Sequence, residues 1–357
     1  MTSGARHLYV HLPFCAHRCG YCDFVTATGR EHLHGAYVDA ILQELAEEHD
    51  GAPVDTIFLG GGTPTYTAKV ELLRLLHALP PAVELTVEAN PETVTRELAL
   101  ELRGAGVNRV SLGAQTFQPH LLEVLERRAT PSDVQRAFVH LRAAGFDNLS
   151  LDLIYGVPGQ SPEELAADLA QAIALGPEHI SAYELEAKPG TRFTVAHGAE
   201  LERQAEQMED YFERVVTTLT AAGYRWYETA NFCRDDRRAE HNLAYWLGRD
   251  YLGIGVGAVS TLGRERRRNT PKLGRYLQGH YDREIELLDD ETRSRERLML
   301  GLRLDEPLLV GTLRSALDAD RLARVERLGL AVDGGETLAL TPRGRFLGGG
   351  VTAEILA

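Results

Sequence analysis

Three of the four cysteines in this chain fall within eight residues, as Cys15-x3-Cys19-x2-Cys22. Thiols this close together suit a soft metal centre better than the disulfide framework of a small secreted domain, whose cysteines are spread through the chain. Structural zinc takes four ligands, commonly from two separated pairs. Here only His11 and His17 lie near enough in sequence to supply a fourth. Three thiolates alone suit an iron–sulfur cluster in which one iron keeps an open position, and an open position marks a reactive site. The spacing leaves two centres open: an iron–sulfur cluster with a vacant iron, or a Cys3His zinc site. Cys233, isolated far downstream, reads as a small apolar filler.

The elements around this loop alternate. Apolar, β-branched runs at Leu8–Leu12, Val54–Leu59, Val83–Glu88, Arg109–Leu112, Leu149–Ile154 and Ile180–Tyr183 read as strands. Helical patterns at Ala36–Glu48, Val70–Leu79, Thr95–Arg103, Val134–Ala143 and Pro162–Leu175 lie between them. Strand–helix alternation at this spacing predicts a parallel sheet covered by helices. Several strands run straight into polar or glycine-rich segments, and in β/α barrels the chemistry sits at the C-terminal ends of strands. The expectation is α/β: six units of a partial (β/α)6 barrel over residues 1–195, with function along one rim. The rhythm then changes. Leu201–Ala222 reads as one long amphipathic helix and Tyr224–Tyr227 as a further strand, within a barrel-completing segment 196–284. Residues 285–357 predict an α+β extension ending in a small helical, winged-helix-like domain.

Length and charge bound the function. The chain has 357 residues, with 38 Lys and Arg against 52 Asp and Glu, a net charge of −14. An acidic chain is not a general nucleic-acid binder. No run of about 18 apolar residues is present, as a membrane span would need. The N-terminus lacks a basic segment followed by a long apolar one, so the expected location is the cytoplasm.

Cys15-Ala-His-Arg-Cys19-Gly-Tyr-Cys22 resembles the CxxxCxxC signature of radical S-adenosylmethionine (SAM) proteins, including the aromatic Tyr21 before the last cysteine. The resemblance implies that the three cysteines hold a [4Fe-4S] cluster whose fourth iron is chelated by SAM, and that a one-electron donor such as flavodoxin or ferredoxin reduces it. YVHLPFC before the cluster, GGGTPT at 60–65, EANP at 88–91, SLGAQTF at 111–117 and DLIYGVPGQ at 152–160 are similar to the anaerobic coproporphyrinogen oxidase group within that family. That likeness carries Tyr9, Tyr21, Gly61, Gly62, Thr63, Glu88, Gln115, Arg127 and Asp152 over as SAM contacts, with Glu186 and Val259 completing the adenosine pocket. The residue types agree. Glycines let main chain approach a ligand, carboxylates and amides at a rim take ammonium or ribose hydroxyls, and a guanidinium pairs with a carboxylate.

Three features separate the chain from the oxidases of this group. Only eight residues precede Tyr9, against a longer N-terminal extension there; Cys22 is followed by Asp23 and Phe24 instead of a further cysteine one residue on; and His241-Asn242-Leu-Ala-Tyr245-Trp246 resembles the HNxxYW motif of the group's heme-chaperone branch, as does MLGLRL at 299–304. That resemblance implies heme as a further ligand, His241 as its candidate axial ligand, and handover to an acceptor hemoprotein, including one at a membrane, from a monomer or homodimer. Arg264, Arg266, Arg267 and Arg268 are candidate partners for the heme propionates. Oxygen-independent coproporphyrinogen III oxidation is the rival reading.

Overall fold

Alternation of apolar and polar side chains builds the central sheet. In the computed structural model, which describes residues 4–188 and 192–357, six parallel strands lie side by side in chain order: β1 (His7–Leu12), β2 (Val54–Gly61), β3 (Ala82–Ala89), β4 (Arg109–Gln115), β5 (Leu149–Tyr155) and β6 (His179–Glu184). Beyond β6 the edge is extended antiparallel by β8 (Asn231–Cys233) and then β7 (Arg225–Glu228). Beyond β1 it is extended parallel by β9 (Leu252–Ile254). The two edge strands β7 and β9 do not pair, so the nine-stranded sheet stays open, a partial barrel as the β/α rhythm predicts.

Side-chain parity decides what each face does. Leu8, Val10 and Leu12 of β1, Val110 and Leu112 of β4, and Leu149, Leu151 and Leu153 of β5 share one apolar core with helical residues such as Ile41, Leu75, Leu141 and Leu169. The alternate residues face the concave side and are largely polar: His7, Tyr9 and His11; Thr56; Arg109 and Ser111; Ser150 and Asp152. The helices between strands carry their own start signals. Thr130 with Asp133, and Ser161 with Glu164, form reciprocal capping boxes with proline at the first helical position. Pro131–Ala143 therefore begins before Val134, where apolar periodicity alone starts it.

One expectation is corrected. The helix predicted over Leu201–Ala222 is two helices, Arg192–Gln204 and Met208–Ala221, joined by a tighter turn at Ala205–Gln207. Gln204 is buried at the break, and its amide donates to the carbonyls of Val157 (3.2 Å) and Gln160 (3.4 Å). Pinning that residue to the loop after β5 redirects the chain there.

The rest of the chain packs on this frame. β10 (Val259–Leu262), β11 (Glu265–Arg268) and β12 (Glu284–Leu287) form an antiparallel sheet. From Leu298 to Leu356 a second apolar core gathers the helices Asp290–Gly301 and Ala319–Arg327 around the short strands β13 (Leu308–Leu309), β14 (Ala331–Asp333) and β15 (Thr337–Leu340). Arg345 ties it to the barrel, stacking on Trp226 at 3.7 Å and donating to the Trp226 carbonyl at 2.8 Å. Among the described residues no helix is long and apolar enough to cross a membrane.

Candidate metal centre and cofactor site

The cysteine loop leaves the C-terminal end of β1 and is clamped at its root. The Cys15 amide donates to the Ala27 carbonyl (3.1 Å) and the Ala27 amide to that of Pro13 (2.7 Å). The end of β2 presses on the same root: the amides of Gly62 and Thr63 donate to Leu12 (2.8 Å) and Phe14 (2.9 Å). A Cβ on Gly62 would lie 2.6 Å from the Pro13 carbonyl, and one on Gly61, where φ is +104°, 2.3 Å from the His11 ring. Only glycine lets the two strand ends meet here.

The thiols have partners suited to a metal centre. Cys15 Sγ is 3.5 Å from the Thr63 hydroxyl, and an Arg127 Nη stands 4.0 Å from Cys19 Sγ. Burial raises the Cys15 and Cys22 thiols above their ordinary range, and neighbouring cysteine charges add to it; a cationic centre relieves both effects. The Arg127 Nε is buried with no partner among the described residues, a donor left over for an anionic ligand. These residues fit a thiolate-held cluster and an anionic group beside it. The zinc alternative loses its fourth ligand. His11 is bonded through both ring nitrogens, to the Tyr9 hydroxyl (3.0 Å) and the Val25 carbonyl (2.8 Å), and His17 faces Glu126 (3.3 Å). Among the described residues no three His, Cys, Asp or Glu side chains stand close enough to hold a single ion; a cubane, with one thiolate per iron, asks for wider spacing.

The rim below the loop carries the polar shell. Arg127 donates to Asn90 Oδ1 (2.8 Å) and to the Gly113 carbonyl (3.1 Å), and Asn90 Nδ2 donates to the Thr63 hydroxyl (3.1 Å). Asn90 thus joins the guanidinium to the hydroxyl beside Cys15. Glu88 accepts from the Gly61 amide (3.3 Å), and burial, with Asp152 nearby, pushes its carboxyl up to about 8. Asp152 accepts from Ser111 (3.0 and 2.9 Å) and Ser150 (3.2 Å), and burial raises it too. Gln115 ends β4 at a bulge with φ +65°, a left-handed conformation that costs a non-glycine residue about 1–2 kcal/mol. Such strain is characteristic of functional sites. Tyr9 stacks on Phe58 (6.3 Å), and Tyr21 packs edge-on against Phe193 (6.3 Å).

Thus Tyr9, Tyr21, Gly61, Gly62, Thr63, Glu88, Gln115, Arg127 and Asp152 gather around one strand rim. Glu186 lies in the extended segment after β6, exposed, its carboxylate 3.6 Å from Lys188. Val259 opens β10, its carbonyl against Gly253 of β9, which pairs with Tyr9. Asn90 and Arg109 were missed. Asn90 had a signal, being polar at a strand end within EANP. Arg109 looked like an ordinary strand start, yet its side chain is buried on the concave face and its charge acts on both Glu88 and Asp152.

His241 is placed elsewhere. It sits on the helix Glu240–Trp246, whose first amides donate to the Glu84 carboxylate at 3.1 Å each. Its Nδ1 bonds the Thr56 hydroxyl (2.7 Å) and its Nε2 the Tyr245 hydroxyl (2.8 Å). Thr56 lies near the start of β2, about 16 Å from Gly61 at a strand's usual rise. Wholly buried with both nitrogens engaged, His241 braces the barrel floor in this arrangement, and service as an axial ligand would require it to give up its Thr56 or Tyr245 contact. Most of the arginine run is also spoken for. Arg264 pairs with Asp290, Arg266 with Glu296 and Glu286, and Arg267 with Glu48.

Residues 9–172 match the Radical SAM superfamily. Across 98% of its length the chain is 35% identical to the heme chaperone HemW of Mycobacterium tuberculosis, covering 94% of that protein. It is 38% identical to the HemW of Escherichia coli over 79% of each chain. Among solved structures it is similar to coproporphyrinogen III oxidase (HemN) from Escherichia coli, described as a radical SAM enzyme, with a TM-score of 0.82 and 25% identity, covering 99% of this chain and 90% of that one.

Proposed function

The chain belongs to the HemW family, and on that premise we propose that it is a heme chaperone, binding heme and passing it to an acceptor hemoprotein, with a [4Fe-4S] cluster and SAM at the strand rim. The observation that carries this reading is the intact rim, three buried or half-buried thiols with Thr63 and Arg127 at their sulfurs and Glu88 on the Gly61 amide, in a chain related to heme chaperones along nearly its whole length. Cys15, Cys19 and Cys22 would hold the cluster. When bound, the cluster and SAM supply a low-potential electron and a cleavable sulfonium. Arg127 orients a carboxylate through its spare Nε–H. Glu88 takes an ammonium group, and Gln115 and Asp152 take ribose hydroxyls. Tyr9, Tyr21, Gly61, Gly62 and Thr63 line the remaining space, with Glu186 and Val259 at its margin. A flavodoxin or ferredoxin is the fitting electron donor, and the cytoplasm the fitting location.

A second reading, coproporphyrinogen III oxidation within porphyrin biosynthesis, is favoured by the likeness to HemN. Anaerobic reconstitution separates the two. Heme is titrated into the reconstituted protein, and coproporphyrinogen III, SAM and reductant are incubated with it in parallel. Stoichiometric heme binding without protoporphyrinogen formation is the expected result. Catalytic protoporphyrinogen formation with weak heme binding overturns the chaperone reading.

A further inference from the structure

Below the barrel floor, the helix Glu240–Trp246, the strands β10 and β11 and the helix Asp290–Gly301 enclose a cavity of about 330 Å³. That is the small end of the range for ligand pockets. Tyr245, Trp246 and Tyr251 give it aromatic walls. Four arginines reach it against two acids, in a chain whose net charge is −14. Both acids are engaged: Glu296 with Arg266 (2.5 Å), and Asp250 with the Gly263 amide (2.8 Å).

Three of the arginines are not neutralised. Among the described residues, the guanidiniums of Arg249 and Arg293 make no hydrogen bond or ion pair, and that of Arg249 reaches Asp55 and Glu240 only through space. Arg297 has a single long contact, to the Trp246 carbonyl at 3.4 Å. Burial and the Arg249 charge together hold the Arg297 guanidinium below its ordinary value, a repulsion that an anion would relieve. The Trp246 indole N–H is buried without a partner among the described residues. Arg303 lies over the Trp246 ring at 4.5 Å, and three unpaired guanidiniums share the cavity with these aromatic walls, a combination that matches a flat aromatic ring bearing carboxylates.

We propose that this cavity seats the carboxylate-bearing edge of a heme, with Arg249, Arg293 and Arg297 on the propionates and Trp246 and Tyr251 against the ring; the assignment rests on the heme-binding reading above. The HNxxYW segment then divides its work. His241 fixes the segment to the floor, while Tyr245 and Trp246 form the cavity wall. Most of the macrocycle stays outside, where an acceptor can reach it.

The test is a titration of the purified full chain and of its Arg249→Ala/Arg293→Ala variant with hemin and with hemin dimethyl ester. It is followed by the Soret band and, in a Trp226→Phe background that leaves Trp246 as the one tryptophan, by emission quenching. Unfolding curves check that the variant, altered at two exposed side chains, keeps its fold. The expected result is Trp246 quenching by hemin and a Kd about tenfold or more higher in the variant. The ester should bind the unaltered protein as weakly as hemin binds the variant. Equal hemin affinity in variant and unaltered protein, or unquenched Trp246 at saturation, overturns the cavity assignment while leaving heme binding intact. No saturable Soret change in the unaltered protein overturns the heme reading itself, and this assignment with it.

Discussion

Glu88 is buried beside Asp152 and titrates at about 8, so at neutral pH it is mostly uncharged. A cation placed against it selects the carboxylate, so SAM affinity should climb as pH rises toward 8 and level off above it. Calorimetry in buffers of different ionisation heat would register the released proton. Glu88→Gln should flatten this profile and weaken SAM by about tenfold or more. Its effect on stability has the opposite sense. A carboxyl raised on folding contributes its full stability below its ordinary pKa and loses it as pH rises through 8, so the glutamine variant should unfold at the higher temperature near pH 8. For Arg127, replacement by lysine keeps the charge but loses the planar guanidinium that holds Asn90 and Gly113 with one Nη, faces Cys19 with the other and keeps Nε–H spare. Weaker SAM binding with unchanged iron content is the expected outcome, and unchanged SAM affinity would remove Arg127 from the site. At His241, alanine strips partners from Thr56 and Tyr245 and opens a void. That should cost about 2–4 kcal/mol in denaturant unfolding while leaving hemin stoichiometry untouched.

At the scale of elements, the strands offer a collective prediction. The concave face buries His7, His11, His179 and His241, all held below the ordinary imidazole range mainly by burial, His11 to about 4 and His241 to about 3. Histidines kept neutral by folding contribute full stability above their unfolded pKa and lose it as pH falls through the folded values. Stability should therefore drop steeply from pH 6.5 toward 4, by up to about 1.4 kcal/mol per pH unit for each histidine; a flat acid limb would contradict their burial. Much of this architecture could be read from the sequence because it is local. Strand parity, proline-led helix starts, glycines at strand ends and the cysteine spacing all lie within a few residues of what they control. What could not be read is set by distant partners. The helix break depends on Gln204 meeting Val157 and Gln160, and the role of His241 depends on Thr56, 185 residues away. The arginine run looks cationic until Glu48, Glu286, Asp290 and Glu296 fold onto it.

For the whole molecule, the second core is joined to the barrel by charged and aromatic contacts, among them Arg225 with Asp305 and Glu306, and Phe346 against Phe212 and Trp226. Glu228 on β7 is fully buried, and Arg303 neutralises it at 2.6 Å. Arg303→Ala leaves that carboxylate with the Ala230 amide and Asn231 Nδ2 but no cationic partner; with the arginine itself partly in solvent, a loss of about 1–3 kcal/mol is expected in unfolding titrations. Restoration of stability by a further Glu228→Gln change would confirm the cause. The floor of the barrel links inside to outside in another way. His7, Thr56, His241 and Tyr245 form an unbroken chain of contacts at 2.9, 2.7 and 2.8 Å. Thr56 has one hydroxyl hydrogen to give, and a neutral imidazole that donates at one nitrogen must accept at the other. The chain consequently has two self-consistent senses, and its members reverse together. In one, the Tyr245 hydroxyl hydrogen points at His241. In the other, His241 donates instead and that hydrogen is released toward a different acceptor. A tautomer exchange deep in the barrel thus acts as a two-position polarity switch on a wall residue of the arginine-lined cavity, without moving a heavy atom.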